Sequence, residues 1–141
     1  MTTNILKSHI FSLVLVSAFS FLISCSKNNN TSSNDTVKPV ITMAEPLPDD
    51  TTALSVEPEV HVEFTVTDEV GLHELSVLVI KNNTDTLMNE KPAVSNLKVY
   101  AFHEHLIPTG IAAVVPFKAI ITASDHAGNV QSTVVNFYVT P

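Results

Sequence analysis

Histidine is the residue type in this chain with the clearest chemical use, because imidazole is a common ligand of Zn²⁺ and Cu²⁺. His103 and His105 stand two residues apart, and so do His61 and Glu63. Side chains two residues apart on a β-strand project from the same face of the sheet. If the two stretches pair as antiparallel strands, which lie about 4.8 Å apart, these four side chains come within reach of one metal ion. The spacing therefore predicts a surface Zn²⁺ or Cu²⁺ site.

The same histidines also fit a less specific interpretation. Exposed histidines are ordinary on the solvent face of a sheet, and the sequence contains no compact ligand motif on a helix or loop. Leu97, Val99 and Ala101 have the same parity as His103, so a β-bulge in this stretch would change the face that the histidines occupy. Solvated surface histidines are the alternative to a metal site.

The sequence carries few signals of catalysis. Ser124, Asp125 and His126 are the residue types of a hydrolase triad, but consecutive side chains on a hairpin point in different directions and cannot relay a proton. The chain has no glycine-rich phosphate loop or nucleophile elbow, and its three glycines offer little backbone for an oxyanion site. We therefore expect a protein that is not an enzyme.

The elements that must position these residues are β-strands. Apolar and polar residues alternate from Val37 onward, and no stretch shows helical periodicity. Short strands at a spacing of roughly ten residues predict an all-β fold, an antiparallel β-sandwich of about seven strands. The strands that we predict span 37–43 (an edge strand, where Pro39 is tolerated), 60–67, 72–80, 97–107, 117–123 and 135–139.

Near the C-terminus, the alternating run 117–125 is followed by a turn that contains Ala-Gly-Asn. This pattern resembles the F–G hairpin of bacterial immunoglobulin-like domains, which implies an immunoglobulin-like sandwich. Asp125 is expected to accept hydrogen bonds from backbone amides of the turn, and Gly128 to supply a positive φ. The segments 38–41 and 103–108 resemble an uncharacterised family of lipoproteins with one such domain. The fold hosts many functions, so the resemblance defines no activity.

Acidic residues also fall at the predicted turns, where calcium ligands lie in some immunoglobulin-like domains. They are Asp68, Glu69, Asp85 and Asp125. Their spacing resembles no dedicated calcium loop, and acidic residues are ordinary in turns. The sequence therefore predicts no calcium site.

The N-terminus predicts export. Lys7 precedes an apolar run of 14 residues from Ile10 to Ile23, which is too short to cross a bilayer core of about 30 Å. A basic start, a short apolar run and a small residue are typical of a secretory signal peptide. Leu22-Ile23-Ser24-Cys25 resembles the lipobox of bacterial lipoproteins, which implies cleavage before Cys25 and acylation of its thiol and amine, with palmitate among the acyl groups. The alternative is a plain secretory signal that contains a cysteine.

This interpretation divides the chain into three segments. Residues 1–24 are the lipoprotein signal peptide, 25–36 a flexible tether and 37–141 the immunoglobulin-like domain. Residues 26–36 include no apolar side chain, so they cannot bury enough surface to offset the entropy of ordering. We expect the domain to be held close to a membrane without entering it.

The composition limits the partners. The chain has seven lysines, no arginine and a formal net charge of −7, which becomes −8 when Lys7 leaves with the signal peptide. Such a surface repels phosphate backbones, so we expect no nucleic-acid partner. Cys25 attaches the protein to a membrane, most simply the outer membrane, and an envelope protein or transporter is the expected partner. No acidic run follows Cys25, which favours the periplasmic face and leaves the surface face as the alternative.

Three Asp-Thr pairs resemble the O-glycosylation signal of some gut-type bacterial envelopes. Each is followed by an aliphatic residue or threonine, and each is expected in the tether or a loop. The predicted acceptors are Thr36, Thr51 and Thr86. The alternative is that Asp-Thr simply favours turns.

Two functions remain open from the sequence. The first is a lipid-anchored envelope protein that acts as a non-enzymatic binding or adaptor module. The second is an envelope lipoprotein that binds Zn²⁺ or Cu²⁺ through His61, His103 and His105, with Glu63 as the fourth ligand or its supporting partner.

Overall fold

Eight β-strands in two sheets make up the computed structural model, which describes residues 34–141. The predicted signal peptide, Cys25 and most of the predicted tether lie outside the described residues. The strands are β1 (Val40–Glu45), β2 (Thr51–Ala53), β3 (Val60–Thr67), β4 (Leu72–Lys81), β5 (Asp85–Glu90), β6 (Val99–Leu106), β7 (Val115–Asp125) and β8 (Val130–Thr140).

The strands form a three-stranded sheet in the order β1-β3-β6 and a five-stranded sheet in the order β2-β8-β7-β4-β5. Every pair is antiparallel except β2 with β8. The prediction of an all-β, immunoglobulin-like antiparallel sandwich is confirmed, with eight strands instead of about seven. The described residues contain no helix that could cross a membrane.

The residue pattern of the sequence does not predict β2 and β5. The first has three residues, Thr-Thr-Ala, and none of them is buried. The second buries Met88 alone, since its other side chains are exposed or half-buried. Neither strand therefore carries the apolar alternation by which the longer strands are found.

The core lies between the two sheets and is built from the alternate apolar residues of the long strands. Along β3 the burial alternates strictly, with the valines and Phe64 inside. Phe64 stacks on Phe102 of β6 with ring centroids 4.9 Å apart, and Phe117 of β7 meets Phe137 of β8 at 5.3 Å. Each such side chain contributes about 1.5–3 kcal/mol when it is removed from water.

The pairing of β3 with β6 places the histidines. It runs without a register shift from Val60 opposite Leu106 to Thr67 opposite Val99. The β-bulge that the sequence left open is therefore not present. Because Phe102 faces the core, the histidines of β6 lie on the outer face of the three-stranded sheet, as predicted.

The turn between β7 and β8 has the predicted construction. The backbone N–H of Asn129 donates to Oδ1 of Asp125 at 2.8 Å. Gly128 has a φ of 89°, which a residue with a Cβ rarely adopts. The hairpin therefore forms as its resemblance to immunoglobulin-like domains implies.

Candidate metal centre

Three histidines meet on the outer face of the three-stranded sheet. In the register of β3 with β6, His61 lies directly opposite His105, and Glu63 lies opposite His103. The ring centroids are 4.3 Å apart for His61 and His105, 4.7 Å for His103 and His105, and 5.6 Å for His61 and His103. The strand pairing that the sequence predicted has thus brought three of the four predicted residues together.

The ring nitrogens of this group are close enough to share an ion. One nitrogen from each of the three histidines lies within 4.8 Å of the other two. A tetrahedral zinc ion with bonds of about 2.05 Å holds its ligand atoms about 3.4 Å apart. His103 and His105 are exposed, so their rings have room to rotate inward by the remaining distance. The arrangement is therefore suited to binding a metal after small side-chain rotations.

Glutamates surround the group. Oε1 of Glu59, in the loop before β3, lies 2.8 Å from Nδ1 of His105 and 3.7 Å from Nε2 of His61. Glu57 reaches the same nitrogen of His61 at 3.3 Å, and Glu45 of β1 reaches Nδ1 of His61 at 3.7 Å. A carboxylate beside an imidazole orients the ring and favours a nearby cation. Glu59 is the carboxylate placed best to join the histidines, because it bridges two rings.

Glu63 stands apart from this arrangement. It lies opposite His103 in the register, but it is exposed and, unlike Glu59, makes no ion-pair contact with any of the three rings. Sequence reasoning missed Glu59, although Glu59 precedes His61 by two residues as Glu63 follows it by two. The alternation that places His61 and Glu63 on one face continues back across Val60 to Glu59, but the predicted strand begins at Val60.

A groove adjoins the histidines. It has a volume of about 400 Å³, and Glu45, Pro46, Val56, Glu57 and His61 are among the residues that line it. His61 therefore borders an open groove, whereas His103 and His105 do not line it.

The remaining histidines form a separate pair. His73 of β4 and His126 in the turn after β7 have ring centroids 4.7 Å apart. In the part of the chain that the structure describes, no third histidine or carboxylate joins them as a group of three ligands. The pair serves as an internal control for the three-histidine group.

The predicted glycosylation sites are all exposed, and their placement differs from the expectation in two of three cases. Thr36 lies before β1, as expected of the tether. Thr51 is the first residue of β2, and Thr86 lies within β5. These two threonines are therefore on edge strands, not in loops.

The fold and the histidine group define a β-sandwich domain with a candidate transition-metal centre on its smaller sheet. Residues 23–112 match a family described as a domain of unknown function (DUF4625). This match covers more than half of the chain, and the chain belongs to that family. It includes all three histidines and Glu59, and it ends before β7.

No curated protein matches this chain. Among solved structures, an engineered protein matches with 16% identity and a TM-score of 0.51. The match covers 73% of this chain and 20% of the engineered protein, so this chain spans about a fifth of that protein's length. At this identity the similarity shows the β-rich fold alone.

Proposed function

We propose that this protein is a non-enzymatic binding module of the cell envelope, anchored by a lipid on Cys25, whose ligand is a transition-metal ion. The observation that carries the proposal is the convergence of His61, His103 and His105, whose ring nitrogens lie within 4.8 Å of one another. Three imidazoles on two paired strands form a donor set that Zn²⁺ and Cu²⁺ prefer. Glu59 is the fourth ligand or the partner that orients the rings.

The surroundings favour a divalent cation over a neutral ligand. The carboxylates of Glu45, Glu57 and Glu59 all lie within 4.0 Å of an imidazole of the group. Carboxylates at this density create a negative potential that raises the local concentration of cations. Imidazole nitrogen then selects a transition metal over Mg²⁺ or Ca²⁺, which prefer oxygen.

The openness of the site indicates transfer or buffering instead of a structural role. The side chain of His105 is 43% exposed, and β6 is an edge strand, so a second protein can approach the metal. Structural zinc sites are closed by four protein ligands, whereas the three histidines alone leave a fourth position, which Glu59 or a ligand from a partner protein can take. An envelope protein or transporter that receives the ion is the partner that fits such a site.

Titration calorimetry tests the proposal. The full-length protein, purified in detergent and freed of metal with a chelator, is titrated with Zn²⁺ and with Cu²⁺ near pH 7.4. We expect one equivalent to bind with a Kd below about 100 µM, which corresponds to roughly −5.5 kcal/mol. Affinity should fall as the solution is acidified, because imidazole binds metal only as the neutral ring.

Two variants give the titration its specificity. His103→Ala combined with His105→Ala should abolish binding, because it removes two of the three nitrogen donors. His126→Ala should leave the Kd unchanged, because His126 belongs to the separate pair with His73. Weaker binding by the wild-type protein, or equal sensitivity to His126→Ala, would contradict the metal site.

A further inference from the structure

Three aspartates from separate parts of the chain meet away from the histidine group. Asp35 precedes β1, Asp68 follows β3, and Asp125 is the last residue of β7. One carboxylate oxygen from each lies within 4.8 Å of the other two. Since β3 and β7 belong to different sheets, the group connects the two halves of the sandwich with the segment that precedes it.

Asp68 contributes a buried oxygen that has no partner. The residue is 7% exposed, and its Oδ1 accepts hydrogen bonds from the backbone N–H groups of Val70 at 3.0 Å and Gly71 at 2.6 Å. Its Oδ2 is buried and makes no hydrogen bond. A buried carboxylate oxygen without a donor is costly, and such an atom in a native fold indicates an ion or a bound water.

Asp125 is buried and accepts hydrogen bonds from the turn that follows β7. It is 2% exposed, and burial by itself would raise its pKa. Hydrogen bonds from the side chain and backbone of Asn129 and from the backbone of Ala127 and Gly128 outweigh burial and lower the pKa of Asp125. The same hydrogen bonds fix the position of the buried Asp125 carboxylate.

Asn129 also connects Asp125 to Asp35. Its Nδ2 donates to Oδ2 of Asp125 at 2.7 Å and to the backbone carbonyl of Asp35 at 3.0 Å. The carboxylate of Asp35 accepts a hydrogen bond from the backbone N–H of Val37 at 2.9 Å. Asn129 is thus a positioning residue, which holds two of the three aspartates in place.

Among the described residues, no cationic side chain neutralises the aspartate group. Between residues 34 and 141, no lysine or histidine forms an ion pair with Asp35, Asp68 or Asp125. Carboxylates this close repel one another, and burial strengthens the repulsion. Three converging carboxylates, two of them buried, are stable together when a cation lies among them.

We propose that Asp35, Asp68 and Asp125 form a Ca²⁺ site, distinct from the histidine group. All three ligand atoms are carboxylate oxygens. Ca²⁺ prefers oxygen ligands, whereas imidazole nitrogen suits Zn²⁺ and Cu²⁺ better. Calcium–oxygen distances of about 2.3–2.6 Å allow ligand oxygens to lie up to about 4.6–5.2 Å apart. The three aspartate oxygens, each within 4.8 Å of the other two, fall inside this limit. Mg²⁺, with distances of about 2.0–2.1 Å, needs a tighter set. Water completes the coordination.

The site gives calcium a structural effect. Asp35 belongs to the segment predicted as tether, whereas Asp68 and Asp125 belong to the two sheets. An ion bound by all three fixes the place where the chain leaves the domain.

Thermal unfolding with and without calcium tests the site. The full-length protein, purified in detergent and treated with a chelator, is heated in 0 to about 10 mM CaCl₂, and the Kd is measured by calorimetry. Extracellular calcium modules bind with a Kd of about 10⁻⁴–10⁻³ M. At about 10 mM, a calcium concentration about 100 times the lower of these Kd values, bound calcium should raise Tm by on the order of 10 °C. An equal rise with MgCl₂ would contradict a calcium site.

Matched Asp→Asn variants separate a site from general screening of charge. Asp35→Asn keeps the side-chain acceptor and should weaken calcium binding at least about tenfold. Asp49→Asn, an equal loss of charge at an exposed residue outside the group, should leave the calcium response unchanged. If the two variants respond alike, or if calcium does not raise the Tm of the wild-type protein, the proposal is overturned.

The effect of Asp68→Asn on Tm should differ in direction between the calcium-free and the calcium-loaded protein. Without calcium, this variant should have a Tm equal to or above that of the wild type, because it removes a repelling charge and keeps the acceptor for Val70 and Gly71. With saturating calcium it should have a lower Tm than the wild type. The His103→Ala, His105→Ala double variant should keep the full calcium response. The calcium test therefore does not depend on whether the histidine group binds zinc. A lower Tm for Asp68→Asn in both conditions would contradict the proposal.

Discussion

Glu59 and Glu63 stand at equal distances from His61 along the chain, yet only Glu59 reaches the histidine rings. Its Oε1 lies 2.8 Å from Nδ1 of His105, whereas Glu63 contacts none of the three rings within ion-pair distance. The difference arises because Glu59 lies in the loop before β3, where the backbone no longer follows the pleat of the sheet. Parity alone makes the two residues equivalent, so the sequence cannot choose between them.

The first prediction follows from this difference. Glu59→Gln should weaken Zn²⁺ binding by about 10–100-fold, because it removes the charge that orients two imidazoles and attracts the ion. The Kd measured by calorimetry at neutral pH checks it. Glu63→Gln removes the same charge from the same face and should change the Kd less than about threefold. A larger loss for Glu63→Gln than for Glu59→Gln would show that Glu63 is the ligand, as the sequence analysis predicts.

At the scale of elements, the candidate metal centre depends on how β6 is held. As an edge strand, β6 pairs with β3 alone, and its histidines lie on the outer face. On the inner face, Phe102 is 4% exposed and stacks on Phe64 of β3 at an interplanar angle of 16°. This aromatic pair packs β6 against the core directly below the histidines.

The second prediction concerns that packing. Phe64→Ala should lower the free energy of unfolding by about 3–5 kcal/mol, because it leaves a cavity and removes the stacking partner of Phe102. Urea unfolding of the full-length protein, followed by circular dichroism, measures the loss. Val134→Ala, at a β8 residue that is 52% exposed, should change the free energy by about 0.5 kcal/mol or less. A loss below about 1 kcal/mol for Phe64→Ala would mean that backbone hydrogen bonds alone hold β6.

The strands also show which parts of the fold can be predicted from the sequence. The long strands are predictable because burial of one face imposes a period of two on their residues, and the pairing of β3 with β6 follows from the sandwich topology. β2 and β5 are not predictable in this way, because edge strands with few buried residues carry no period. The aspartate group is harder still, since its members lie 33 and 57 residues apart in the chain. Only the tertiary fold brings Asp35, Asp68 and Asp125 together.

At the scale of the whole molecule, the proposed function requires attachment to a membrane. Residues 34–141 contain no helix that could span a bilayer. The chain carries a formal net charge of −7, which repels anionic lipid surfaces. We propose that the lipid predicted at Cys25 provides the attachment that transfer of metal to an envelope partner requires.

The last prediction tests that attachment. Cys25→Ser should prevent acylation and release the protein from the outer membrane, either as a soluble form or as an uncleaved precursor in the inner membrane. Each buried methylene contributes about 0.8 kcal/mol, so the loss of two or three acyl chains removes tens of kcal/mol of membrane affinity. Fractionation after a carbonate wash measures the change, and intact mass shows whether acyl groups are present. Ser26→Ala, next to the acylation site, should remain in the outer membrane. Retention of Cys25→Ser in the washed outer membrane would show that another part of the protein anchors it.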